Sequence, residues 1–145
     1  MKKHTLGACR GFSLLELMMV VFIIALLGGL SRPYLLQSTM AANEKVALTT
    51  LRVLLSGQIQ YNVRTTTYAT LAQLVSTGLA DETLQDGIKS GYDFSTQNIT
   101  DINFEMIAVP SAFGGTGNKG YFINESTVIR YSANGTAPDS SSPPI

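Results

Sequence analysis

Residues 12–30 read FSLLELMMVVFIIALLGGL, a run in which only Ser13 and Glu16 are polar. As an α-helix this run is about 28 Å long, close to the thickness of the hydrocarbon core of a bilayer. A buried helix of a soluble protein normally keeps a polar face, and the sequence from Leu17 to Leu30 has none. We therefore expect this segment to form a helix that inserts into a membrane at some stage.

The composition of the rest of the chain excludes several classes of protein. Ten Lys and Arg balance ten Asp and Glu in 145 residues, so no strong field favours a nucleic-acid partner. Cys and His occur once each, as Cys9 and His4, and cannot form an intrachain disulfide or a Cys/His metal site. Removal of residues 1–11 would leave neither residue for catalysis. We predict a protein that is not an enzyme and that needs no metal or other cofactor.

The apolar run follows a short leader, residues 1–11, which is basic and has no acidic residue. An ordinary secretory signal cut near residues 28–31 does not explain the acidic side chain inside its apolar region. A lipoprotein signal at LGAC, residues 6–9, lacks the apolar stretch that must precede it. A third possibility places the cut before the apolar run, between Gly11 and Phe12.

The residues around that junction resemble the class III signal of type IV prepilins and pseudopilins. Gly11 ends a basic leader, Phe12 becomes the first residue, Glu16 follows four positions later, and Pro33 lies where such helices carry their proline. Later segments, VIRYSANGTAP and SSPPI among them, are similar to a branch of bacterial major pilins without disulfides. The resemblance implies cleavage after Gly11, N-methylation of Phe12 by a prepilin peptidase, and helical polymerisation.

Glu16 has a physical interpretation beside the resemblance. A carboxylate in a membrane helix costs roughly 2.5–3.5 kcal/mol at the bilayer centre. Cleavage at Gly11 would leave a positive amine on Phe12, and pairing it with Glu16 of a neighbouring subunit would compensate two charges at once. An interfacial carboxylate that helps to cap its own helix is the alternative. The residue chemistry alone leaves both possibilities open; with the prepilin-like Gly11-Phe12 context of the resemblance, we predict the inter-subunit salt bridge between Glu16 and Phe12.

The chain after the apolar run predicts a fold of the α+β class. Gly28, Gly29 and Pro33 predict a helix break or kink, because glycine is a poor helix former and proline removes a hydrogen bond. We expect residues 12–33 to form a transmembrane or polymer-core helix half and residues 34–65 an amphipathic half. The apolar stripe of the second half consists of Ala47, Leu48, Leu51, Leu54, Leu55 and Ile59.

Residues 66–145 predict a small globular head that packs on this second helix half. Thr70 and Asp81 are positioned to cap short helices that Gly78 and Gly87 end. Residues 112–120, with four glycines, predict a flexible loop, and the proline-rich tail is expected to be flexible and not to pack deeply. The predicted antiparallel strands are Tyr92–Ser95, Asn103–Val109, Tyr121–Asn124 and Val128–Ser132, with a turn at Asn124-Glu125-Ser126.

Together with these features, the resemblance implies a structural subunit of a type IV pilus-like surface filament for adhesion or motility. One alternative is a pseudopilin of a type II secretion system, and another is an uncleaved single-pass membrane-anchored binding module. The expected partners are other copies of the chain in a helical filament, inner-membrane lipid, a prepilin peptidase and the assembly machinery, with no nucleic acid. We expect the precursor in the bacterial inner membrane and the assembled form as an extracellular pilus or a periplasmic pseudopilus.

Overall fold

A computed structural model of the chain describes residues 11–30 and 32–145. The helical elements are α1 (Leu14–Leu30), α2 (Arg32–Thr65), α3 (Leu71–Ser76) and a 3₁₀ turn (Glu82–Leu84). The strands are β1 (Ile88–Lys89), β2 (Tyr92–Gln97), β3 (Glu105–Pro110), β4 (Gly120–Asn124) and β5 (Arg130–Ser132). Long N-terminal helices followed by a small antiparallel sheet confirm the predicted α+β class.

The chain divides into two compact units, one ending at Leu35 and the other running from Leu36 to Ile145. In the first unit, α1 is about 26 Å long at 1.5 Å per residue. Gly28 and Gly29 lie in the last turn of α1, and Pro33 is the second residue of α2. Proline is tolerated in the first turn of a helix, where its missing N–H would have no intrahelical partner. Ser31 lies outside the described residues, so the helix break stays a prediction.

The second unit contains a five-stranded sheet in which each strand pairs with the next one along the chain, in the order β1-β2-β3-β4-β5. All four pairings are antiparallel. The core of the unit is one cluster to which α2 contributes Ala47, Leu51 and Leu54. The sheet contributes Tyr92, Phe94, Met106, Ala108, Tyr121 and Ile123 to the same cluster. The helix thus forms one wall of a core too small to close without it.

The prediction that Ile59 belongs to the buried apolar stripe of the helix is wrong. Ile59 is 50% exposed, whereas its neighbour Gln58 is fully buried. The Gln58 side chain donates to the carbonyl oxygen of Ala69 at 2.6 Å and accepts from the Ala69 amide at 2.8 Å. Gln58 follows Leu54 by four positions, a spacing that places it on the buried face, but the predicted stripe contained apolar residues only and did not include it. A buried polar side chain is stable when its groups are paired, as both are here.

The predicted helix caps are confirmed. Thr70 accepts from the amide of Gln73, whose own side chain accepts from the Thr70 amide, which completes a capping box. Asp81 accepts from the amide of Thr83 at the start of the 3₁₀ turn. Gly78 and Gly87 both have φ near +70°, a conformation that glycine adopts without strain.

The four predicted strands are present, with ends displaced by up to two residues. The turn at Asn124-Glu125-Ser126 is confirmed, because the Asn124 side chain accepts from the amide and hydroxyl of Ser126. Strand β1 was missed because it has only two residues, whose pairing with β2 depends on the turn between them.

The C-terminal tail differs from the sequence expectation. Most of its side chains are exposed, but its backbone pairs along β5, and Pro138 is buried. The Tyr131 amide donates to the carbonyl of Pro143 at 3.0 Å, and the Ile145 amide donates to the carbonyl of Ile129 at 3.0 Å. A proline-rich segment can still offer carbonyl oxygens to a strand edge, which composition alone does not reveal.

The glycine-rich loop also differs from its expectation. Asn43 of α2 donates to the carbonyl of Thr116 at 2.9 Å, and the Glu44 carboxylate accepts from the amide of Asn118 at 3.1 Å. Gly117 lies against the hydroxyl of Tyr92, where a Cβ would overlap it. The loop is therefore tied to α2 and to the sheet by specific contacts.

Candidate assembly segment

The predicted processing site lies immediately before α1. Gly11 and Phe12 are exposed and belong to no regular element, and Phe12 is 74% exposed. The helix begins just after them, since the carbonyl of Ser13 accepts the amide of Leu17 at 3.1 Å. The leader residues before Gly11 lie outside the described residues. A peptidase that cuts between Gly11 and Phe12 would meet an open stretch of backbone on the Phe12 side.

Glu16 lies in the first turn of α1 and is exposed. A carboxylate at this end of a helix interacts favourably with the helix dipole. Within the described residues no cation is in salt-bridge distance of Glu16, because the two ion pairs found there are Lys89–Asp81 and Lys119–Glu44. A partner for this charge would therefore have to come from outside the described residues or from another molecule.

The surface of α1 is apolar on every side. Its large side chains from Leu14 to Leu27 are 45–76% exposed, and no face of the helix is polar enough to prefer water. The helical residues from Leu14 to Thr65 contain one segment long and apolar enough to cross a membrane, with a mean hydropathy of 2.4. An apolar surface of this extent on a soluble monomer would be an interaction site.

Gly28 and Gly29 leave the backbone uncovered near the end of α1. A Cβ at either position would meet no atom within 4 Å. Small residues at such positions allow another helix to approach closely, which is how helices associate in lipid. The two glycines are thus available for packing against a neighbouring helix.

The sheet in the second unit is poorly suited to polymerisation through its strand edges. At one side the C-terminal tail already occupies hydrogen-bonding groups of β5 and the residues before it. At the other side β1 is two residues long and ends in Lys89. Short edges and charged edge residues are common protections against strand addition. The strand edges of this sheet are therefore not suited to pairing with a strand of another chain.

A polar cluster joins α2 to the glycine-rich loop and the sheet. The Glu44 carboxylate lies 3.7 Å from the Lys119 ammonium and accepts from the Tyr121 hydroxyl at 3.4 Å. Burial is the main cause that raises the pKa of Tyr92 to about 12, and the negative charge of Glu44 is the next largest cause. The same two causes raise the pKa of Tyr121. Both phenols therefore stay protonated and act as hydrogen-bond donors, and the cluster serves to hold the loop.

The acidic residues of the second unit do not converge on a common point where a cation could bind. Asp81 and Asp93 each pair with a different side chain. Asp81 accepts from the Lys89 ammonium at 2.6 Å, and Asp93 accepts from the Ser111 hydroxyl at 2.9 Å. The Lys89 hydrogen bond, followed by that of Thr83, lowers the pKa of Asp81 to about 2. In the part of the chain that the structure describes, no three His, Cys, Asp or Glu side chains are placed to hold a metal ion.

Residues 6–31 match the family described as the prokaryotic N-terminal methylation motif. This motif is the prepilin signal of type IV pilins and pseudopilins, so the resemblance noted in the sequence is confirmed. The match covers residues 6–31 only, so it supports likeness to the N-terminal segment of type IV pilins and pseudopilins, which are structural proteins. No curated protein matches the chain. The motif implies processing by a prepilin peptidase and, in general terms, a pilus-assembly context, and the apolar helix fits a membrane-anchored precursor.

The structure brings together some of the predicted site residues and leaves others apart. Gly11, Phe12 and Glu16 fall within the first turns around the start of α1, and Gly28 and Gly29 lie at its other end. Sequence reasoning missed Gln58 and the contacts of α2 with the glycine-rich loop. The four-residue spacing from Leu54 could have predicted that Gln58 is buried. No sequence pattern could have predicted the contacts between α2 and the glycine-rich loop.

Proposed function

We propose that this chain is the structural subunit of a type IV pilus-like surface filament that serves adhesion or motility. The observation that carries the proposal is α1, which lies within the matched prepilin motif and whose large apolar side chains from Leu14 to Leu27 are exposed on every side of the helix. Such a helix needs lipid before assembly and other copies of itself afterwards. In this proposal residues 12–33 form the polymer core, and residues 34–65 carry the head formed by residues 66–145.

The first step of the proposed mechanism is processing. The peptidase cuts after Gly11, the leader of residues 1–11 stays behind, and the new amine of Phe12 is methylated. A methylated amine keeps its positive charge. The mature subunit then remains in the inner membrane through α1, with its head outside the cytoplasm.

The second step is the exchange of lipid for protein around α1. Because lipid tails are as apolar as leucine, this exchange gains little hydrophobic free energy, and specific contacts must set the register. The carboxylate of Glu16 pairs with the Phe12 amine of a neighbour, which compensates both charges in a low-dielectric bundle. Gly28 and Gly29 allow the neighbouring helices to approach closely, and a bend near Pro33 would adjust the helix to its neighbours.

Substitution of Glu16 tests this assembly contact. Glu16→Leu and Glu16→Gln should leave the chain in the inner membrane but abolish filaments or reduce them severely, because the neighbour's amine loses its counter-charge. Ser13→Ala, the other polar position in the same segment, is the matched control and should assemble normally. Electron microscopy of sheared surface filaments and quantification of the membrane-bound chain measure both effects. Normal filament yield from Glu16→Leu would contradict the proposed salt bridge.

Intact-mass analysis separates the proposal from its alternatives. A mature chain that begins at methylated Phe12 supports the pilin or the pseudopilin, whereas a chain that begins at Met1 supports the uncleaved binding module. Abundant sheared surface filaments containing this chain support the pilin, and a chain confined to the periplasm of a secreting cell supports the pseudopilin. The motif is common to both of these classes, so filament location is the measurement that decides between them.

A further inference from the structure

The turn between β2 and β3 presents an apolar side chain next to an acidic one. Ile102 is 76% exposed, and its neighbour Asp101 is also exposed. Hydrogen bonds between Thr100 and the two residues after Asp101 hold the turn. The Thr100 hydroxyl accepts from the amides of Asn103 at 2.9 Å and Ile102 at 3.4 Å, and the Thr100 amide donates to the Asn103 carbonyl at 2.9 Å. We call Asp101–Ile102 the knob. The isoleucine side chain keeps apolar surface in water that a partner could bury with a gain in free energy.

A groove of complementary character lies along the outer flank of α2. It has a volume of about 360 Å³ and is lined by Leu84 of the 3₁₀ turn and by five residues of α2: Lys45, Val46, Thr49, Thr50 and Val53. Val53 is 50% exposed, so the apolar floor is open to solvent. We call this depression the α2 groove. It is large enough to accept an isoleucine side chain.

The charges at the α2 groove favour an acidic occupant. The rim also carries Lys89 and Asp81, which neutralise each other in an ion pair of 2.6 Å. Lys45 has no salt bridge within the described residues, where the ion pairs are those of Lys89 and Lys119. The groove therefore offers one uncompensated cation beside an apolar floor, and the knob offers one carboxylate beside an apolar side chain.

The knob and the α2 groove lie at different levels along α2. Phe104, which follows the knob, packs on Tyr68, just past the end of α2, with ring centroids 4.6 Å apart. Along the helix axis, Val53 lies about 18 Å before Thr65 and Lys45 about 30 Å before it. A molecule therefore cannot readily fill its own groove with its own knob, whereas a copy displaced along the same direction can.

We propose that the knob of one copy docks in the α2 groove of a second copy of this chain, with Ile102 on the apolar floor and Asp101 against Lys45. This inference rests on the proposed function, because it names a head-to-head contact within the filament. The contact joins two different surfaces of the same chain. Such a heterologous contact leaves a free knob and a free groove at the two ends and extends into an open helical polymer.

Cysteine cross-linking in filaments tests the contact directly. The full chain carrying Ile102→Cys and Val53→Cys is expressed in a host with a prepilin peptidase, and sheared filaments are oxidised and run on a non-reducing gel. The residues of a disulfide have Cα atoms within about 7 Å, so only a docked knob will react. Cys9 precedes Gly11, so the processed chain has no native cysteine to compete. A ladder of dimers and higher multimers is expected.

The matched control carries Ile102→Cys and Val128→Cys, since Val128 is an exposed valine outside the α2 groove. No ladder is expected from this pair. Filaments that form at normal yield without a 102–53 cross-link, or that cross-link through the control pair instead, overturn the contact and leave the filament function standing. Absence of filaments from the wild-type chain overturns the proposed function itself.

A charge exchange keeps the inference testable if the cysteine variants assemble poorly. Asp101→Lys places two cations together and should lower filament yield about tenfold or more. Lys45→Asp alone should do the same, and the two changes together should restore the yield. Equal yields from the two single variants and the wild type, or failure of the double variant to recover, would overturn the pairing of Asp101 with Lys45.

Discussion

Gln58→Ala removes the side chain that ties the end of α2 to the chain that follows it. In the structure both polar atoms of the Gln58 amide are bonded to the backbone of Ala69, at 2.6 and 2.8 Å. Both residues are completely buried. The truncation therefore leaves an N–H and a C=O group without partners in the interior of the second unit.

The expected loss of stability follows from these two groups. A buried backbone group that loses its partner costs about 1–3 kcal/mol, so the two groups together predict a decrease of about 2–6 kcal/mol in the free energy of unfolding. For a unit of this size that corresponds to a fall in the melting temperature of about 10–25 °C. The control is Gln60→Ala, because Gln60 is exposed and its side chain has only a 3.5 Å contact with Ser56. It should change stability by less than about 0.5 kcal/mol.

Thermal and urea unfolding of the full chain in detergent micelles measures both variants. The detergent keeps the apolar helix soluble, and the chain has six tyrosines and no tryptophan, so near-ultraviolet circular dichroism reports on tyrosine packing. Tyr92 and Tyr121 are buried in the second unit and are the main reporters of its unfolding.

Gln58→Glu distinguishes the loss of hydrogen bonds from the loss of packing, because it keeps the shape of the side chain. Burial beside the Ala69 carbonyl oxygen should raise the pKa of the introduced carboxyl above its ordinary value of about 4.3. When protonated it can donate to that oxygen and accept from the Ala69 amide, so stability is retained below about pH 4. It is lost as the pH rises through the raised pKa. Wild-type stability of Gln58→Ala, or of Gln58→Glu at pH 7, would refute this reasoning.

Two further predictions concern the head. The hydrogen bond from Lys89 is the chief cause that lowers the pKa of the Asp81 carboxyl from its ordinary value of 3.8 to about 2. The ionised carboxylate therefore stabilises the fold at pH values above 3.8, and this stabilisation is lost as the pH falls through about 2. Carboxyl titration by nuclear magnetic resonance should show this midpoint, and Lys89→Ala should raise it; an unchanged midpoint would contradict the pairing. Gly117→Ala places a methyl group against the Tyr92 hydroxyl and should destabilise the unit by about 1–3 kcal/mol in thermal unfolding. Gly115→Ala, where the nearest atom is 3.5 Å from the new Cβ, is the control, and equal effects of the two variants would show that crowding at Gly117 is not the cause.

The sequence by itself determined the features that depend on local pattern. The sequence predicted three such features: the apolar run of α1, the prepilin-like signal at Gly11, Phe12 and Glu16, and the helix caps at Thr70 and Asp81. Each depends on residues within a few positions of one another, where helix periodicity, transfer free energy and capping chemistry act directly.

Only the tertiary structure decided the features that depend on residues far apart in the chain. Gln58 is buried where both polar atoms of its side-chain amide pair with the backbone of Ala69, eleven positions later in the chain. The tail pairs with β5 because sheet order brings an open edge beside it. The α2 groove exists because the 3₁₀ turn at Leu84 lies against α2 residues more than thirty positions earlier. Local propensity carries no information on such pairings, since their free energy depends on which surfaces the whole fold brings together.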